Sequence, residues 1–432
     1  MTIAASTIAA VPREALTKQQ VAGFWASWWG WTLDGMDSVI YALVLTPALK
    51  ELLPRSGILV TPGSLGFIGS ILFAVFLAGW GCAFVWGPIA DRYGRTKTLA
   101  ATIVVFAVFT GAAALSTNVW ELGIFRFLAG VGIGGEWALA GTYVSEAWPE
   151  SRRKQGAGYL QTGYYAGFFI AAALNFTIGA RFGWRAMFAC GIVPVVVSIY
   201  ALTQVREPQK WERAASQVRT MSPLASVFSG VYLKRTIVNI LLVTVAIVGL
   251  WGGSVYVPTA VTRLAEAALM PGKMPLYLAS IATAILSIGT ILGCLALPKI
   301  AERYGRKATM AGYFAVMGIS LIAAFGWAFY LPNGLVPFIV LTFFLGIGGA
   351  SFAMFSLWLP EQYPTRMRAT AFAASTSLAR FIGAAINFGI GALIAGNGGS
   401  LGLPIALTAV AFGIGILILP LAYETRGQAL PD

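Results

Sequence analysis

Long apolar runs separated by short polar segments repeat along the whole chain. Leu65 to Trp86 and Ala308 to Phe329 are two clear examples, each close to the roughly 20 residues that a helix needs to cross a bilayer. A membrane β-barrel would instead alternate apolar and polar residues. The pattern therefore predicts twelve transmembrane helices, over residues 20–48, 64–88, 97–116, 119–145, 156–180, 184–204, 235–259, 277–300, 308–330, 334–359, 368–395 and 401–423.

The low content of charged residues supports this interpretation. Of the 432 residues, 58% are hydrophobic and only 10% are charged, whereas a soluble domain carries roughly a quarter charged residues. Most of the chain is predicted to lie in the lipid bilayer, where helices satisfy the backbone groups internally. We expect an all-α protein of the bacterial inner membrane, targeted by its first helix, because the residues before Lys18 lack the features of a removable signal peptide.

Lysine and arginine are distributed unevenly between the two sides of the predicted membrane. If the N-terminus is cytoplasmic, 21 of the 29 lie in cytoplasmic segments, 6 in outer loops and 2 within helices. This excess predicts that both termini are cytoplasmic. The net charge of +13 is spread over these short loops, so nucleic acid is not expected as a partner.

The composition disfavours chemistry that depends on histidine or paired cysteines. The chain has no histidine, and Cys82, Cys190 and Cys294 lie alone in separate predicted helices. Neither metal-ligand spacing nor a nucleotide-binding Gly-x-x-x-x-Gly-Lys-Ser/Thr loop is present. We expect no metal, no cofactor and no enzymatic activity. Any proton that the protein carries must bind to a carboxylate or to water.

Two segments of the first half of the chain recur in the second half. Gly87-Pro-Ile-Ala-Asp91-Arg92-Tyr-Gly94-Arg95 is matched 211 residues later by Pro298-Lys-Ile-Ala-Glu302-Arg303-Tyr-Gly305-Arg306. Gly134-Gly135 and the segment from Glu146 to Arg152 are matched 214 or 215 residues later by Gly348-Gly349 and the segment from Glu361 to Arg366. This indicates a duplicated six-helix unit. The predicted divisions are a cytoplasmic tail (1–19), a first bundle (20–204), a cytoplasmic linker (205–234), a second bundle (235–423) and a cytoplasmic tail (424–432).

Five charged residues lie well inside the predicted helices, away from their ends, and at a helix centre each costs about 2.5–3.5 kcal/mol. They are Asp34, Asp37, Arg126, Glu136 and Arg380. Asp34 and Asp37 share a helix face because they are three residues apart. Asp37 and Arg126 lie roughly 16 and 10 Å from the outer ends of their helices, a difference that an arginine side chain can span. An ion pair is expected, either as a functional pair or as a static link between two helices.

Arg380 lies roughly 18 Å deep in the eleventh predicted helix, and no acid inside a helix of the second half is placed to pair with it. An unpaired cation near the midplane favours an anionic ligand, and a guanidinium can bind a carboxylate bidentately. The alternative is a partner from the first half, such as Glu136. Asn387 shares the face of Arg380, and the other side chains that we expect in the cavity are Tyr41, Gln161, Tyr164, Tyr165, Trp251 and Tyr256.

The repeated motifs carry a strong resemblance. Gly87-x-x-x-Asp91-Arg92-x-Gly94-Arg95 is similar to the signature loop of the major facilitator superfamily, and the segments from Arg126 to Gly135 and from Gly183 to Phe188 resemble two further family motifs. The resemblance implies two pseudo-symmetric six-helix bundles that alternate access to a central site, driven by an ion gradient. A monomer is expected. Pro298 departs from the pattern at the position of Gly87, which leaves open how closely helices eight and eleven approach there.

The signature loop is expected to form a cytoplasmic latch between the halves. Asp91 can lie at the positive end of a neighbouring helix and pair with Arg95 or with an arginine of the next loop. The alternative is simple anchoring by Arg92, Arg95 and Lys97 on the cytoplasmic side. The residues of the predicted latch are Gly87, Asp91, Arg92, Gly94, Arg95, Glu146, Arg152, Glu302, Arg303, Arg306, Glu361 and Arg366.

The resemblance also implies a substrate class. Asp34-Gly-Met-Asp37 resembles proton symporters for aromatic acids and symporters of the sialate/lactate type, and Gly135-Glu136-Trp137 and the segment from Arg206 to Trp211 resemble the latter. In similar proton-coupled sugar carriers an aspartate placed like Asp37 pairs with an arginine placed like Arg126. We therefore expect proton-coupled symport of a small organic anion such as lactate, sialate or an aromatic acid, with Asp37 as the proton site and Asp34 or Glu136 as alternatives. A proton-coupled or facilitative sugar transporter is the rival.

Overall fold

The computed structural model describes residues 14–215, 222–272, 274–396 and 400–431, most of them helical and none in a β-strand. The predicted tail 1–19 therefore lies mostly outside the described residues. The helices of the first half and the linker are α1 (Lys18–Arg55), α2 (Pro62–Cys82), α3 (Trp86–Tyr93), α4 (Arg95–Ala113), α5 (Val119–Ala147), α6 (Arg153–Leu174), α7 (Ala180–Ala189), α8 (Val195–Gln204), α9 (Gln209–Ala215) and α10 (Pro223–Val227). Those of the second half are α11 (Gly230–Gly252), α12 (Val257–Ala267), α13 (Met274–Tyr304), α14 (Arg306–Leu321), α15 (Leu335–Gly349), α16 (Ser351–Trp358), α17 (Arg368–Gly396), α18 (Gly402–Ala406) and α19 (Ala409–Ile418).

Ten stretches of the described helices are long and apolar enough to cross a membrane. Each overlaps one of the twelve predicted spans. The two remaining predicted spans correspond to α1 and α6, which are helical but more polar, because α1 carries Asp34 and Asp37 and α6 carries Gln161 and two adjacent tyrosines. The count of twelve spans and the cytoplasmic placement of the termini remain predictions.

The two copies of the repeated loop have the same backbone. Gly94 ends α3 with φ 119°, and Gly305 ends α13 with φ 90°. Other residue types avoid these positive angles, so glycine is required for the chain to turn into the next helix without a break. This agreement supports the duplication predicted from the sequence. The side of the molecule that carries Gly94 and Gly305 is called the motif side below.

The helix contacts also recur in the two halves. In the first half α1 packs on α6, and both α2 and α4 pack on α5; in the second half α11 packs on α17, and both α13 and α14 pack on α15. Between the halves, α2 packs on α17, and α6 packs on α13. The central space is therefore bordered by helices from both halves, which places α1, α5, α6 and α17 around it.

Glycines allow the two halves to approach closely. A Cβ at Gly87 would lie 2.5 Å from the Cα of Thr370 on α17, and a Cβ at Gly158 on α6 would lie 2.6 Å from the carbonyl oxygen of Cys294 on α13. Pro298 packs against this same Gly158. The proline that replaces the motif glycine in the second half thus meets α6, while Gly87 of the first half meets α17.

Candidate functional site

Arg126 and Asp37 form a buried ion pair between α5 and α1. The Nη1 atom of Arg126 donates to both carboxylate oxygens of Asp37, at 3.2 and 3.1 Å. Arg126 is fully buried and Asp37 is 1% exposed. The approach of these two side chains agrees with the depths expected from the sequence, and the role of the pair in proton coupling remains a prediction.

Aromatic rings surround the Arg126 guanidinium. Its central carbon lies 4.5 Å from the ring centre of Tyr41 and 4.3 Å from that of Phe76. Such cation–π contacts stabilise a buried guanidinium that has few polar neighbours. Tyr41, predicted to line the cavity, thus packs on the ion pair. Nε and Nη2 of Arg126 have no hydrogen-bond acceptor among the described residues.

Asp34 and Glu136 are buried acids of a different kind. Both are fully buried, and none of their four carboxylate oxygens accepts a hydrogen bond within the described part of the chain. The Glu136 carboxylate presses against Gly30, which lies one helical turn before Asp34 on α1. Because burying an unpartnered ionised carboxylate is costly, these two residues depart from ordinary helix packing.

Arg380 lies on α17 and is held mainly by aromatic rings. Its central guanidinium carbon lies 4.0 Å from the ring centre of Trp80 and 5.6 Å from that of Trp137, and Nη1 donates to the Thr376 carbonyl. Arg380 is 3% exposed and forms no ion pair with any residue that the structure describes. Among the described residues no ion pair joins it to Glu136, and its role in binding a substrate stays a prediction.

A small cavity adjoins Arg380 between the two halves. The space that the centre of a water molecule can occupy in this cavity is about 10 Å³, enough for about one water molecule. An acid can therefore bind only if the lining side chains move apart. The cavity is lined by Trp31, Trp80, Trp137, Gln161, Tyr164, Tyr165, Phe352 and Arg380.

Only some of the residues predicted to line the cavity do so in the structure. Gln161, Tyr164 and Tyr165 line it with Arg380. Tyr256 is half-buried in the short turn that follows α11 and is not part of the lining. The side chains of Trp251 and Asn387 lie outside the described residues. Trp31, Trp80, Trp137 and Phe352 were not predicted, because aromatic residues are common in membrane helices and their spacing carries no distinguishing signal.

A first charge cluster joins the halves on the motif side. Arg95 binds Glu146 with two parallel hydrogen bonds of 3.0 Å and Asp91 with an ion pair of 2.7 Å. The second half contributes Arg368, whose Nη1 donates to Glu146 at 2.8 Å, and Thr370, whose backbone N–H donates to Asp91 at 2.9 Å. Asp91 therefore binds the N-terminal end of α17, as expected for a carboxylate at a helix N-terminus.

The second half carries the equivalent cluster. Arg306 binds Glu361 with hydrogen bonds of 2.9 and 2.8 Å and Glu302 with an ion pair of 3.2 Å. The first half contributes Arg153, which binds Glu361 at 2.8 Å, and Lys154, which binds Glu302 at 2.7 Å. All ion pairs between the halves in the described ranges lie on the motif side, so the structure is closed on that side.

Four of the arginines predicted for the latch are not in these clusters. Arg92, Arg303 and Arg366 have exposed side chains and Arg152 is half-buried, and none forms an ion pair with a described residue. Their places are taken by Arg153 and Arg368. The charge pattern therefore indicates where the clusters lie. The rotation of each helix about its axis determines which of two neighbouring basic residues points into the cluster.

Two glutamates that sequence reasoning did not assign cap the helices that follow the motif loops. Glu207 accepts backbone hydrogen bonds from Arg95, Thr96 and Lys97 at the start of α4, and Glu424 accepts them from Arg306 and Lys307 at the start of α14. Burial acts to raise the pKa of Glu424, but the backbone N–H donors outweigh it and hold that pKa below its usual value. Glu207 is more deeply buried, and its pKa is raised.

Known proteins are similar to this chain over nearly its whole length. A probable 4-methylmuconolactone transporter of Cupriavidus pinatubonensis is 28% identical over 97% of this chain and 94% of its own. The niacin transporter NiaP of Acinetobacter baylyi is 27% identical over 94% of each chain. Among solved structures, the proton:xylose symporter XylE superposes with a TM-score of 0.78 over 95% of this chain and 98% of its own, at 17% identity.

The family model confirms the resemblance inferred from the motifs. The description of the Major Facilitator Superfamily matches residues 27–386, which include both motif loops, both charge clusters and all five charged residues within the helices. The relatives are transporters of small metabolites, which agrees with the expected likeness to organic-acid carriers. The chain is a multi-pass transporter of the inner membrane, not an enzyme, and it belongs to the Major Facilitator Superfamily.

Proposed function

We propose that the protein is a proton-coupled symporter that carries a small organic acid anion by alternating access. The two halves would rock about the small cavity beside Arg380, opening it to one side of the membrane at a time. The charge clusters on the motif side would hold one of the two states closed. The energy source would be the proton gradient, without a nucleotide or cofactor.

The observation that carries the proposal is the environment of Arg380. The Arg380 guanidinium is 3% exposed, contacts two tryptophan rings and has no matched anion in an ion pair with a described residue. A substrate carboxylate supplies that anion and can bind the guanidinium bidentately. A neutral sugar would leave the charge unmatched, which makes an acid the better substrate.

The aromatic lining favours a flat acid within this class. Trp31 and Trp137 stack at a centroid distance of 5.7 Å with 13° between their planes, and the Tyr164 ring lies 4.7 Å from that of Trp31. A ring or conjugated acid that separates these side chains could replace the ring contacts that they lose. The relative named for niacin carries the name of an acid built on an aromatic ring. Lactate and sialate would make weaker contacts with these aromatic rings.

For the proton, the proposal relies on the acids of α1 and α5. Asp34, Asp37 and Glu136 are all buried, and the chain offers no histidine as an alternative. Asp37 is paired with Arg126, as in the sugar symporters that the sequence resembles. Protonation of Asp37, or of Asp34 or Glu136 in its place, would accompany the change of access.

The test is uptake of labelled nicotinate, benzoate, lactate and glucose into proteoliposomes. Arg380→Gln should lower uptake of the two ring acids about ten- to hundredfold, because a hydrogen bond to a charged group contributes about 1.5–3 kcal/mol. Arg181→Gln removes an exposed arginine at the start of α7 and should leave uptake unchanged. Uptake of glucose alone, equal in both variants, would assign the protein to the sugar carriers instead.

A further inference from the structure

Residues 423–431, called the tail segment below, follow the last helical turn and are bound to the motif side at both of their ends. The indole N–H of Trp358 donates to the Tyr423 carbonyl at 2.9 Å, and Glu424 caps the start of α14. At the far end Leu430 is buried, although Ala429 beside it is exposed. A segment without helical structure of its own is therefore fixed in one place.

A turn in the middle of the tail segment reverses its direction. The N–H of Gln428 donates to the Thr425 carbonyl at 3.0 Å, and Gly427 inside the turn has φ 76°. Only glycine adopts such an angle without strain. The Tyr423 hydroxyl also donates to Oε1 of Gln428, at 3.2 Å. The turn allows the two ends of the segment to reach two different residues of the charge clusters.

The first of these residues is Glu361, which binds the first half of the chain. Its Oε1 atom accepts from Arg153 of the first half and from Arg306 of its own half, each at 2.8 Å. Its Oε2 atom accepts from Arg306 at 2.9 Å and from the Thr425 hydroxyl at 2.5 Å. Each carboxylate oxygen thus has two donors, and this full set holds the carboxylate in the orientation in which it meets Arg153.

The second of these residues is Arg368, which also binds the first half. Its Nη1 atom donates to Glu146 at 2.8 Å, and its Nε atom donates to the carbonyls of Pro360 and Tyr363. Its Nη2 atom donates to the Pro431 carbonyl at 2.5 Å. All three guanidinium nitrogens are therefore bonded, and the far end of the tail segment supplies the acceptor for Nη2.

The first half of the chain does not repeat the hydroxyl contact. Glu207 and Glu424 occupy equivalent places, since each caps the helix that follows a motif loop. The next residue is Pro208 in the first half and Thr425 in the second. Proline has no hydroxyl to donate. Capping of the motif loop therefore does not require the contact, which is specific to the tail segment.

We propose that the tail segment is a strap that helps to keep the motif side closed by positioning Glu361 and Arg368. While the strap is bound, both side chains are already held in the orientation that binds the first half, so closing the two halves does not have to order them. When the strap is displaced, both side chains gain freedom and closure becomes less favourable. The inference goes beyond the proposed function, because it concerns which side of the molecule is open.

The Thr425 hydroxyl offers the first test. In a Cys82→Ala, Cys190→Ala background, alkylation of buried Cys294 by N-ethylmaleimide reports separation of α13 from α6 of the other half. Thr425→Val keeps nearly the same shape without the hydroxyl and should raise the alkylation rate about two- to twelvefold, the effect of freeing one side chain. Thr425→Ser keeps the hydroxyl and should leave the rate unchanged. Equal rates in the two variants would overturn the proposal.

The turn offers a test that touches no contact of the charge clusters. A Cβ at Gly427 would meet nothing within 4 Å, so Gly427→Val acts only by disfavouring the positive φ. It should release the strap and raise the alkylation rate at least about twofold. The matched control is Ala429→Val, which introduces the same side chain at an exposed position of the same segment. Equal rates in these two variants would contradict the strap.

A combined variant separates positioning from general stabilisation. If Thr425 acts through the contact between Glu361 and Arg153, Thr425→Val should no longer accelerate alkylation once Arg153→Gln has removed that contact. An undiminished acceleration in the Arg153→Gln background would show that the hydroxyl acts in another way and would overturn the proposal. If a Thr425 variant does not fold, Gly427→Val in its exposed turn still decides. Alkylation needs no substrate, so its outcome is independent of whether an acid is transported.

Discussion

Glu146 links the two halves through a single charged contact, and its removal should weaken the closed state selectively. Its carboxylate binds Arg95 of its own half and Arg368 of the other half. When the motif side opens, the contact with Arg95 can persist, and the contact with Arg368 must break. In the variant Glu146→Gln, the closed state therefore loses a charged bond that the open state never had.

The size of the effect follows from that one bond. Both side chains are fully buried, and a hydrogen bond to a charged group contributes about 1.5–3 kcal/mol. The ratio of open to closed protein should accordingly rise about 12- to 150-fold. Loss of the surface pair between Glu150 and Arg153 should shift the ratio less than about fivefold, because that acid is 46% exposed and exposed pairs contribute about 0–1 kcal/mol.

A native cysteine reports on the opening. Cys294 is fully buried, and its segment of α13 packs against Gly158 of α6 in the other half. With Cys82→Ala and Cys190→Ala as background, alkylation of Cys294 by N-ethylmaleimide measures how often these helices separate. The rate should rise at least about tenfold in Glu146→Gln and change little in Glu150→Gln. Equal rates in the two variants would refute the role of Glu146 as a latch.

Three further outcomes follow from the same structure. Gly87→Val places a side chain into the Thr370 backbone, so we expect faster alkylation of Cys294 and slower transport, at a packing cost of about 1–3 kcal/mol. Glu424→Gln should lower the free energy of unfolding by about 1 kcal/mol at pH 7. The pKa of Glu424 is depressed in the folded protein. The stability difference between the variant and the unmodified protein should therefore be present above about pH 4.3 and vanish as the pH falls through the folded pKa. Trp31→Leu removes the stack on Trp137 and should reduce the preference for nicotinate over lactate about two- to tenfold, as ring contacts contribute about 0.5–1.5 kcal/mol; an unchanged preference would argue against ring recognition.

The helices and the repeat could be predicted because they depend on patterns within the chain. Long apolar runs give spans directly, and the recurrence of an acid and a glycine 211 residues apart gives the duplicated loop. The ends of the helices were harder, since α1 continues to Arg55 past its predicted end at residue 48. The start of α1 is set by a cap at Thr17 that depends only on neighbouring residues. The other end of α1 depends on packing against other helices.

The candidate site was only partly accessible to sequence reasoning. Asp37 and Arg126 could be paired because depth along a helix follows from residue count. The choice of Arg153 over Arg152 could not be made, because successive helix residues point about 100° apart and the loop before α6 sets the starting angle. Glu207 and Glu424 had a usable signal, since both follow the sixth helix of their half at an offset close to that of the other repeated residues.

The central claim is that a proton gradient drives an acid anion through the site at Arg380. The most direct measurement is uptake of labelled nicotinate into proteoliposomes with an alkaline interior, compared with the same vesicles after the gradient is collapsed. The account predicts accumulation above the external concentration only while the gradient lasts, and an uptake about ten- to hundredfold slower in Arg380→Gln. Equilibration to equal concentrations with or without the gradient, or uptake of glucose but not of any acid, would contradict it.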